Sequence, residues 1–429
     1  MRLELQMVKI SDVRFADKTE VAGGTLFVDK NAFLEASVGG DARIKSADVY
    51  LAKPGESVRI IPVKDVIEPR CKVNGPGGIF PGFLSGVEQV GSGSTVALSG
   101  AAVVTTGRIV GFQEGIIDMS GPGAAYSPFS QTLNVVLKIE PADGIKQHEH
   151  ELIVRLAGLR AANYLGAAGL GAKADETRVY ETKPLLEQAA EYPGLPKVAY
   201  VYMLQTQGLL HNTFYYGVDA KQIVPTFMYP TEAMDGAIIS GNCVSACDKN
   251  PTYVHVNNPV IEDLYARHGK DINFIGCVIT NENVTLIDKE RSAGITAKLV
   301  GFMGADAAII SEEGFGNPDA DLVMNCNNLE KMGIKTVLIT DEYAGRDGAS
   351  QSLADVTPLG DACVTAGNAN EVISLPPMDV VIGWPEAANA IAGGWDGSLR
   401  PDGGIDTEIQ VITGSTNELG FHTLTTKAV

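Results

Sequence analysis

A chain of 429 residues, 45% of them hydrophobic and 20% charged, is long enough for two or three packed cores and needs no disulfide staples to fold. Its formal net charge of -19, with no Lys/Arg-rich run to offset it, makes nucleic acid and anionic membrane surfaces poor partners. The opening MRLELQMVKISDVRF has Glu4 and scattered polar residues where a signal peptide needs an apolar run. No apolar stretch reaches the roughly 18 residues of a spanning helix. Sparse cysteines (Cys71, Cys243, Cys247, Cys277, Cys326 and Cys363) fit a reducing, cytoplasmic setting.

Residues 1–147 read as a β-rich domain. Leu3–Val8, Gly24–Val28, Ser57–Pro62, Val103–Val110 and Leu133–Ile139 are short, β-branched runs separated by Gly and Pro. Two glycine-proline loops, Asn74–Gly78 and Ser120–Gly123, interrupt them. From residue 148 the period changes. Glu149–Tyr164 carries Leu152, Ile153, Leu156 and Leu159 at helical spacing, with Ala and Gly in the narrow positions. Lys197–Gln205 and Gln222–Met228 read as buried strands, and residues 148–242 form an α/β segment. In residues 243–429 a helix is expected over Pro259–Gly269, a strand over Ile272–Thr280, and a helix over Asp288–Met303. The strand Ala307–Ile310, the helix Asp319–Met332 and the strand Ile334–Thr340 complete an alternation that predicts a layered, mostly parallel sheet. Val380–Gly383 and Glu408–Ile412 are expected strands in a Gly- and Asp-rich C-terminal part. The fold class is therefore mixed α/β, a β-rich N-terminal domain followed by a layered α/β region.

The segment Ile239-Ser-Gly-Asn-Cys243-Val-Ser-Ala-Cys247-Asp-Lys-Asn250 places two cysteines among small, turn-forming residues. Four readings fit. The cysteines are small core residues; or a redox pair, at a spacing looser than Cys-x-x-Cys; or metal ligands, although no third Cys or His follows at finger spacing. The fourth is self-processing. The Cys243 thiol attacks the Asn242 carbonyl, the acyl group moves from nitrogen to sulfur, and β-elimination then leaves dehydroalanine, which hydrolyses to a pyruvoyl group. Gly241 permits the tight turn that such an attack requires.

With Gly241-Asn242-Cys243-Val244, Ser311-Glu-Glu-Gly-Phe-Gly-Asn317, Thr340-Asp-Glu-Tyr-Ala-Gly345 and Gly367-Asn-Ala-Asn370, the chain resembles the pyruvoyl-forming proprotein of protein B of the glycine, sarcosine and betaine reductases. The likeness spans essentially the whole chain. It implies cleavage between Asn242 and Cys243 into Met1–Asn242 and Cys243–Val429, with Cys243 becoming the pyruvoyl cofactor. Length and Asn242 favour this branch over the longer D-proline reductase proprotein. The resemblance further implies that the pyruvoyl keto group takes the substrate amine and withdraws electrons from its C–N bond. The implied partners are a selenocysteine-containing subunit of component B, selenoprotein A and an acetyl-phosphate-forming component C, in a hetero-oligomer. Glycine, sarcosine and betaine all remain candidate substrates, although quaternary betaine has no electron pair with which to attack a ketone. A non-catalytic binding subunit with an intact junction and an unrelated thiol-dependent α/β enzyme are the alternatives.

Neutral imidazoles at His211 and His255 are candidates to assist the acyl shift and later proton transfers. His148 and His150, with Glu149 and Glu151, read as a solvated helix entry, with acid–base or metal function as the alternative. The loops Gly75–Gly78, Gly121–Gly123 and Gly314–Gly316 offer backbone N–H groups for a substrate carboxylate. No dinucleotide or ATP loop motif is present, and no metal is expected.

Overall fold

The computed structural model describes residues 1–112, 114–207, 212–241 and 250–419. Mixed α/β architecture is observed. In the N-terminal half, one sheet orders the strands Glu176–Glu181, Arg2–Lys9, Gly93–Ser99 and Arg70–Asn74. A second orders Gly115–Asp118, Val58–Ile67, Ala101–Gly107, Leu133–Pro141 and Ile44–Ala52. Its strand Val58–Ile67 is buried at every position and also pairs, in parallel, with Val380–Gly383. Since Glu176–Glu181 pairs with Arg2–Lys9, main-chain ladders tie together stretches on both sides of residues 147 and 242.

The third sheet orders Thr226–Met228, Asn273–Asn281, Lys197–Leu204, Ala307–Ser311, Lys335–Glu342 and Cys363–Asn368. Only its Thr226–Met228 pairing is antiparallel; the others are parallel, as the alternating pattern predicts. Numbered along the chain, its five parallel strands lie in the order 2-1-3-4-5, a doubly wound arrangement whose direction switches between the first and third strands. Two-sided burial explains the long apolar runs. In Lys197–Leu204, Val198, Tyr200, Tyr202 and Leu204 face a core shared with the N-terminal sheets. Ala199, Val201 and Met203 face the helices Leu286–Phe302 and Asn317–Glu330.

Local chemistry sets the helix starts. Asn258 accepts from the Ile261 N–H at 3.0 Å to cap Pro259–Arg267, with Pro259 at the first turn. The long helix Gln147–Ala167 packs on the N-terminal sheets through its small residues. At Gly166 a Cβ would lie 2.3 Å from the Arg70 backbone, so nothing larger than glycine fits.

Three expectations need correction, and one helix was not anticipated. Gln222–Met228 is not one strand: residues 220–222 form a 3-10 turn capped by Asp219, Pro225 follows, and only Thr226–Met228 pairs as a strand. Glu408–Ile412 is strand only at its first residue, because its partner strand ends at Val372, opposite Glu408. The loop Ser120–Gly123 contains the short helix Gly121–Ala124. Lys30–Val38 is a helix inside the β-rich region, capped by Asp29, whose carboxylate accepts from the Asn31 and Ala32 N–H groups at 2.9 and 3.0 Å. Among the described residues, no helix is long and apolar enough to cross a membrane.

A buried ion pair ties the ends of the chain together. Arg59 meets Asp118 through two 2.7 Å hydrogen bonds and also donates to the Pro376 carbonyl at 2.9 Å. Asp118→Ala leaves the Arg59 charge buried and unpaired, and is expected to cost about 3–5 kcal/mol. Replacing the pair with Arg59→Met and Asp118→Leu together should recover most of that loss, both read from urea unfolding midpoints.

Candidate active site at the carboxyl edge of the parallel sheet

Ligands of doubly wound sheets bind beyond the carboxyl ends of the strands, at the point where the winding reverses. Here that edge carries acids. Glu282 follows Asn273–Asn281, Glu312 and Glu313 follow Ala307–Ser311, and Asp341 belongs to Lys335–Glu342; all four are fully buried.

Glu313 sits at the winding switch, between the first and third strands. Its Oε2 accepts from the Gln205 N–H at 2.9 Å and the Thr213 hydroxyl at 2.7 Å. Its Oε1 accepts from the Asn250 N–H at 3.0 Å and lies 3.3 Å from His255 Nε2. His255 Nδ1 shares a 2.6 Å hydrogen bond with the Tyr202 hydroxyl, and the Tyr202 ring stacks on Tyr200. Glu282 accepts from the Glu313 N–H at 2.8 Å, and the Thr340 hydroxyl donates to Glu312. Gly314, whose φ is +148°, turns the chain away where a Cβ would come within 2.7 Å of the Gln205 side chain. The Gly316 N–H is already taken by Asp319, at 2.8 Å.

On its other side the segment is gripped from the N-terminal sheet. Asp65, on Val58–Ile67, accepts from the Thr252 N–H at 2.9 Å and the Thr252 hydroxyl at 2.6 Å. That same hydroxyl accepts from the Ser240 N–H at 3.0 Å. Arg155, on Gln147–Ala167, donates through Nη2 to the Gly241 carbonyl at 3.3 Å, and its guanidinium lies 4.4 Å from the Phe214 ring centroid. Residues 240 and 252 are thus pinned by one hydroxyl, while Gly241 and Asn250 are held by Arg155 and Glu313.

Burial sets the protonation of the site. It pushes the Asp65 carboxyl up to about 6 against the opposing Thr252 hydrogen bonds. It raises Glu282, Glu312 and the C-terminal Glu418 well above the usual carboxylate range. It raises the Tyr202 phenol and lowers Arg155 to about 10.

Of the residues singled out in the sequence, Gly241 is buried with its carbonyl held by Arg155, and His255 is buried against Glu313 and Tyr202. Asn242, Cys243, Cys247 and His211 lie outside the described residues. The two helix-entry histidines part company. The His148 side chain is mostly exposed, 3.2 Å from Glu151, whereas His150 is buried and burial lowers it to about 4. Among the described residues, no His/Cys/Asp/Glu group is arranged to hold a metal.

Asp65, Arg155, Tyr202, Glu282 and the role of Glu313 escaped the sequence. The available signals were a charge inside an apolar strand (Asp65), a charge on an apolar helix stripe (Arg155) and paired acids directly after a buried strand (Glu312 and Glu313).

The Asp65 grip has a pH signature. Its folded pKa lies near 6 against an ordinary value of 3.8, so between about pH 4 and 6 the folded chain binds more protons than the unfolded one. The stability contributed by this group is complete below that window and is lost as pH rises through it. Asp65→Asn should flatten that part of the curve of denaturation midpoint against pH, and an unchanged slope would refute the assignment. Thr252→Val removes both hydroxyl hydrogen bonds and is expected to cost about 1–3 kcal/mol at neutral pH.

A family model described as glycine/sarcosine/betaine reductase component B subunits matches residues 1–427. The chain is 64% identical over 429 residues to the glycine reductase complex component B subunits alpha and beta of Acetoanaerobium sticklandii, covering 100% of both chains. It is 63% identical over 427 residues to the protein of the same name from Peptoclostridium acidaminophilum, and 57% identical over 427 residues to that organism's sarcosine reductase complex component B subunit alpha, again with 100% of each chain covered. No solved structure matches. The chain therefore belongs to the glycine/sarcosine/betaine reductase component B subunits.

Proposed function

We propose that this chain is a proprotein cleaved between Asn242 and Cys243, and that Cys243 becomes a pyruvoyl group serving the reductive cleavage of the C–N bond of a small amino acid. The observation that carries the reading is the anchoring of the junction's flanks at the winding switch, by Thr252 and Arg155 upstream and by Glu313 downstream. An amide turned toward a thiol must be kept from relaxing, and fixed flanks on both sides achieve that. The relatives' names add support, since one chain of this length is named for two subunits, alpha and beta.

Atoms balance for Cys243. Its thiol adds to the Asn242 carbonyl and the amide nitrogen leaves as a free amine. Loss of the Cα proton then breaks the C–S bond, the upstream piece departs as a thiocarboxylate, and water replaces the nitrogen as ammonia. His255, held between Glu313 and Tyr202, is the proposed proton carrier, linked to the described flank at Asn250 through Glu313.

The pyruvoyl group supplies an electron sink for the substrate's C–N bond. The buried carboxyls fit a substrate there. Held toward their protonated forms, Glu282, Glu312 and Glu418 do not repel a substrate carboxylate, and they keep protons available for the departing amine. The sequence contains no selenocysteine, so the attacking nucleophile comes from another chain, for which a selenocysteine-containing subunit and selenoprotein A are the proposed partners. An acetyl-phosphate-forming component C completes the proposed assembly. Glycine is the first substrate to test and sarcosine the second, following the order of identity of the relatives so named.

Intact mass under denaturing conditions tests the reading. Two pieces divided after Asn242 are expected. The downstream piece should be lighter than a cysteine-starting chain by the sulfur, nitrogen and three hydrogens lost against one oxygen gained, and its terminus should react with hydrazine or borohydride. Cys243→Ala should leave one uncut chain without a reactive carbonyl, whereas Cys247→Ala should mature normally. A working reductase whose Asn242–Cys243 bond is intact would overturn the proposal.

A further inference from the structure

Three arginines are among the largest fully buried side chains of the molecule, Arg59, Arg70 and Arg155. Arg59 faces Asp118, and Arg70 faces Glu68, each with carboxylate oxygens at 2.7 Å. Arg155 is different. It is 2% exposed, yet among the described residues no carboxylate lies within ion-pair distance of it. Glu151, Asp65 and Asp219 act on it only from farther away. Among the described residues its one hydrogen bond is the long one to the Gly241 carbonyl and its Nε–H has no partner, while its flat face rests on Phe214.

A buried guanidinium lacking a counter-ion is costly, because burial removes its hydration and one peptide carbonyl returns only part of the loss. The other two buried arginines of this chain each meet a carboxylate, Arg59 through both oxygens of Asp118 and Arg70 through one oxygen of Glu68, so the lack of a paired carboxylate among the described residues sets Arg155 apart. Its fork is shaped for two carboxylate oxygens, and the aromatic platform of Phe214, with Phe83 at 5.7 Å, fixes the plane in which they would be met. A cleft of about 680 Å³ that Arg155 helps to line, between the helix Gln147–Ala167 and the strand Phe214–Tyr215, gives a small molecule access.

We infer that Arg155 is a receptor for a carboxylate at the junction. Two sources share that chemistry. One is the new C-terminus released at Asn242, a carboxylate once water has displaced hydrogen sulfide from the thiocarboxylate, covalently next to the Gly241 carbonyl that Arg155 already holds. The other is the carboxylate of the small amino acid substrate. The inference rests on the proposed function for the origin of the carboxylate, but its test does not require the carbonyl.

The test is isothermal titration with acetate, which has a carboxylate and no amine, and with methylammonium as the reverse control. The uncut Cys243→Ala chain and the mature wild-type protein are titrated, each with and without Arg155→Gln. Acetate is expected to bind the uncut chain, and Arg155→Gln to weaken it by about tenfold or more, the loss of a charge-assisted hydrogen-bonded pair. Binding to the uncut chain but not to the mature protein identifies the new C-terminus as the occupant, because the receptor is then already filled. Binding to both identifies the substrate. Arg155→Lys, which keeps the charge and loses the fork, should weaken acetate less than Arg155→Gln, and it serves if the glutamine variant fails to fold. Acetate binding that is absent from the uncut chain, or unchanged by both substitutions, overturns the inference. A wild-type chain that mass shows to be uncut defeats the proposed cleavage alone, while titration of that chain still decides the receptor.

Discussion

The carboxylate of Asp65 is the fixed point of the molecule. It projects from a strand buried at every position and holds Thr252 through both backbone and hydroxyl, and that hydroxyl holds Ser240. A single side chain of the N-terminal sheet thereby fixes the separation of two main-chain points that bracket the proposed junction. Because the group is buried with its donors aligned, moving either flank would leave polar atoms unsatisfied in a low-dielectric region, where each costs far more than at the surface. Rigidity at the flanks follows from that cost.

The same interleaving bears on what a cut at residues 242 and 243 would do. The upstream piece contributes Lys197–Leu204, the central first strand of the parallel sheet, with downstream strands on both of its edges. The downstream piece contributes Val380–Gly383 to the sheet built on Val58–Ile67, and its Pro376 carbonyl accepts from Arg59. The two largest sheets, of six strands each, both draw strands from the two pieces. Two chains joined by such ladders stay together through main-chain hydrogen bonds and shared cores, so the covalent bond between them is dispensable for the architecture once folding is complete.

Much of the scaffold was legible because it repeats a simple signal. Buried β-branched runs alternating with amphipathic helices identified the parallel sheet from Lys197 to Glu342, and two-sided burial is what makes those runs conspicuous. The short elements were not legible, since Lys30–Val38 is fixed by one capping aspartate and the end of Ile405–Glu408 by where its neighbour stops. The site divided along the same line. Gly241 and His255 stood out as a junction glycine and a nearby imidazole. Asp65, Arg155 and Glu313 approach from three different elements, and nothing in their local sequence reports that convergence. The signal of Asp65 and Arg155 is negative: each is a charge where the surrounding period demands an apolar residue, and such a charge survives only when tertiary structure supplies it with work or a partner.

That logic also reconciles the acidity of the chain with the anionic group of the amino acid in the proposed function. A net charge of -19 would repel a simple anion at long range, but a zwitterionic amino acid carries no net charge, and salt screens the field of the protein surface within about 8 Å. What remains is local. The carboxyl edge of the sheet offers acids that burial keeps largely protonated, and across the junction Arg155 offers a desolvated cation. Under the proposed function, the substrate carboxylate would meet the Arg155 cation, while the protonated acids, being neutral, would not repel it. On that proposal, preference for amino acids over simple amines would rest on the Arg155 end of the site, and the charge on the rest of the surface is free to serve solubility.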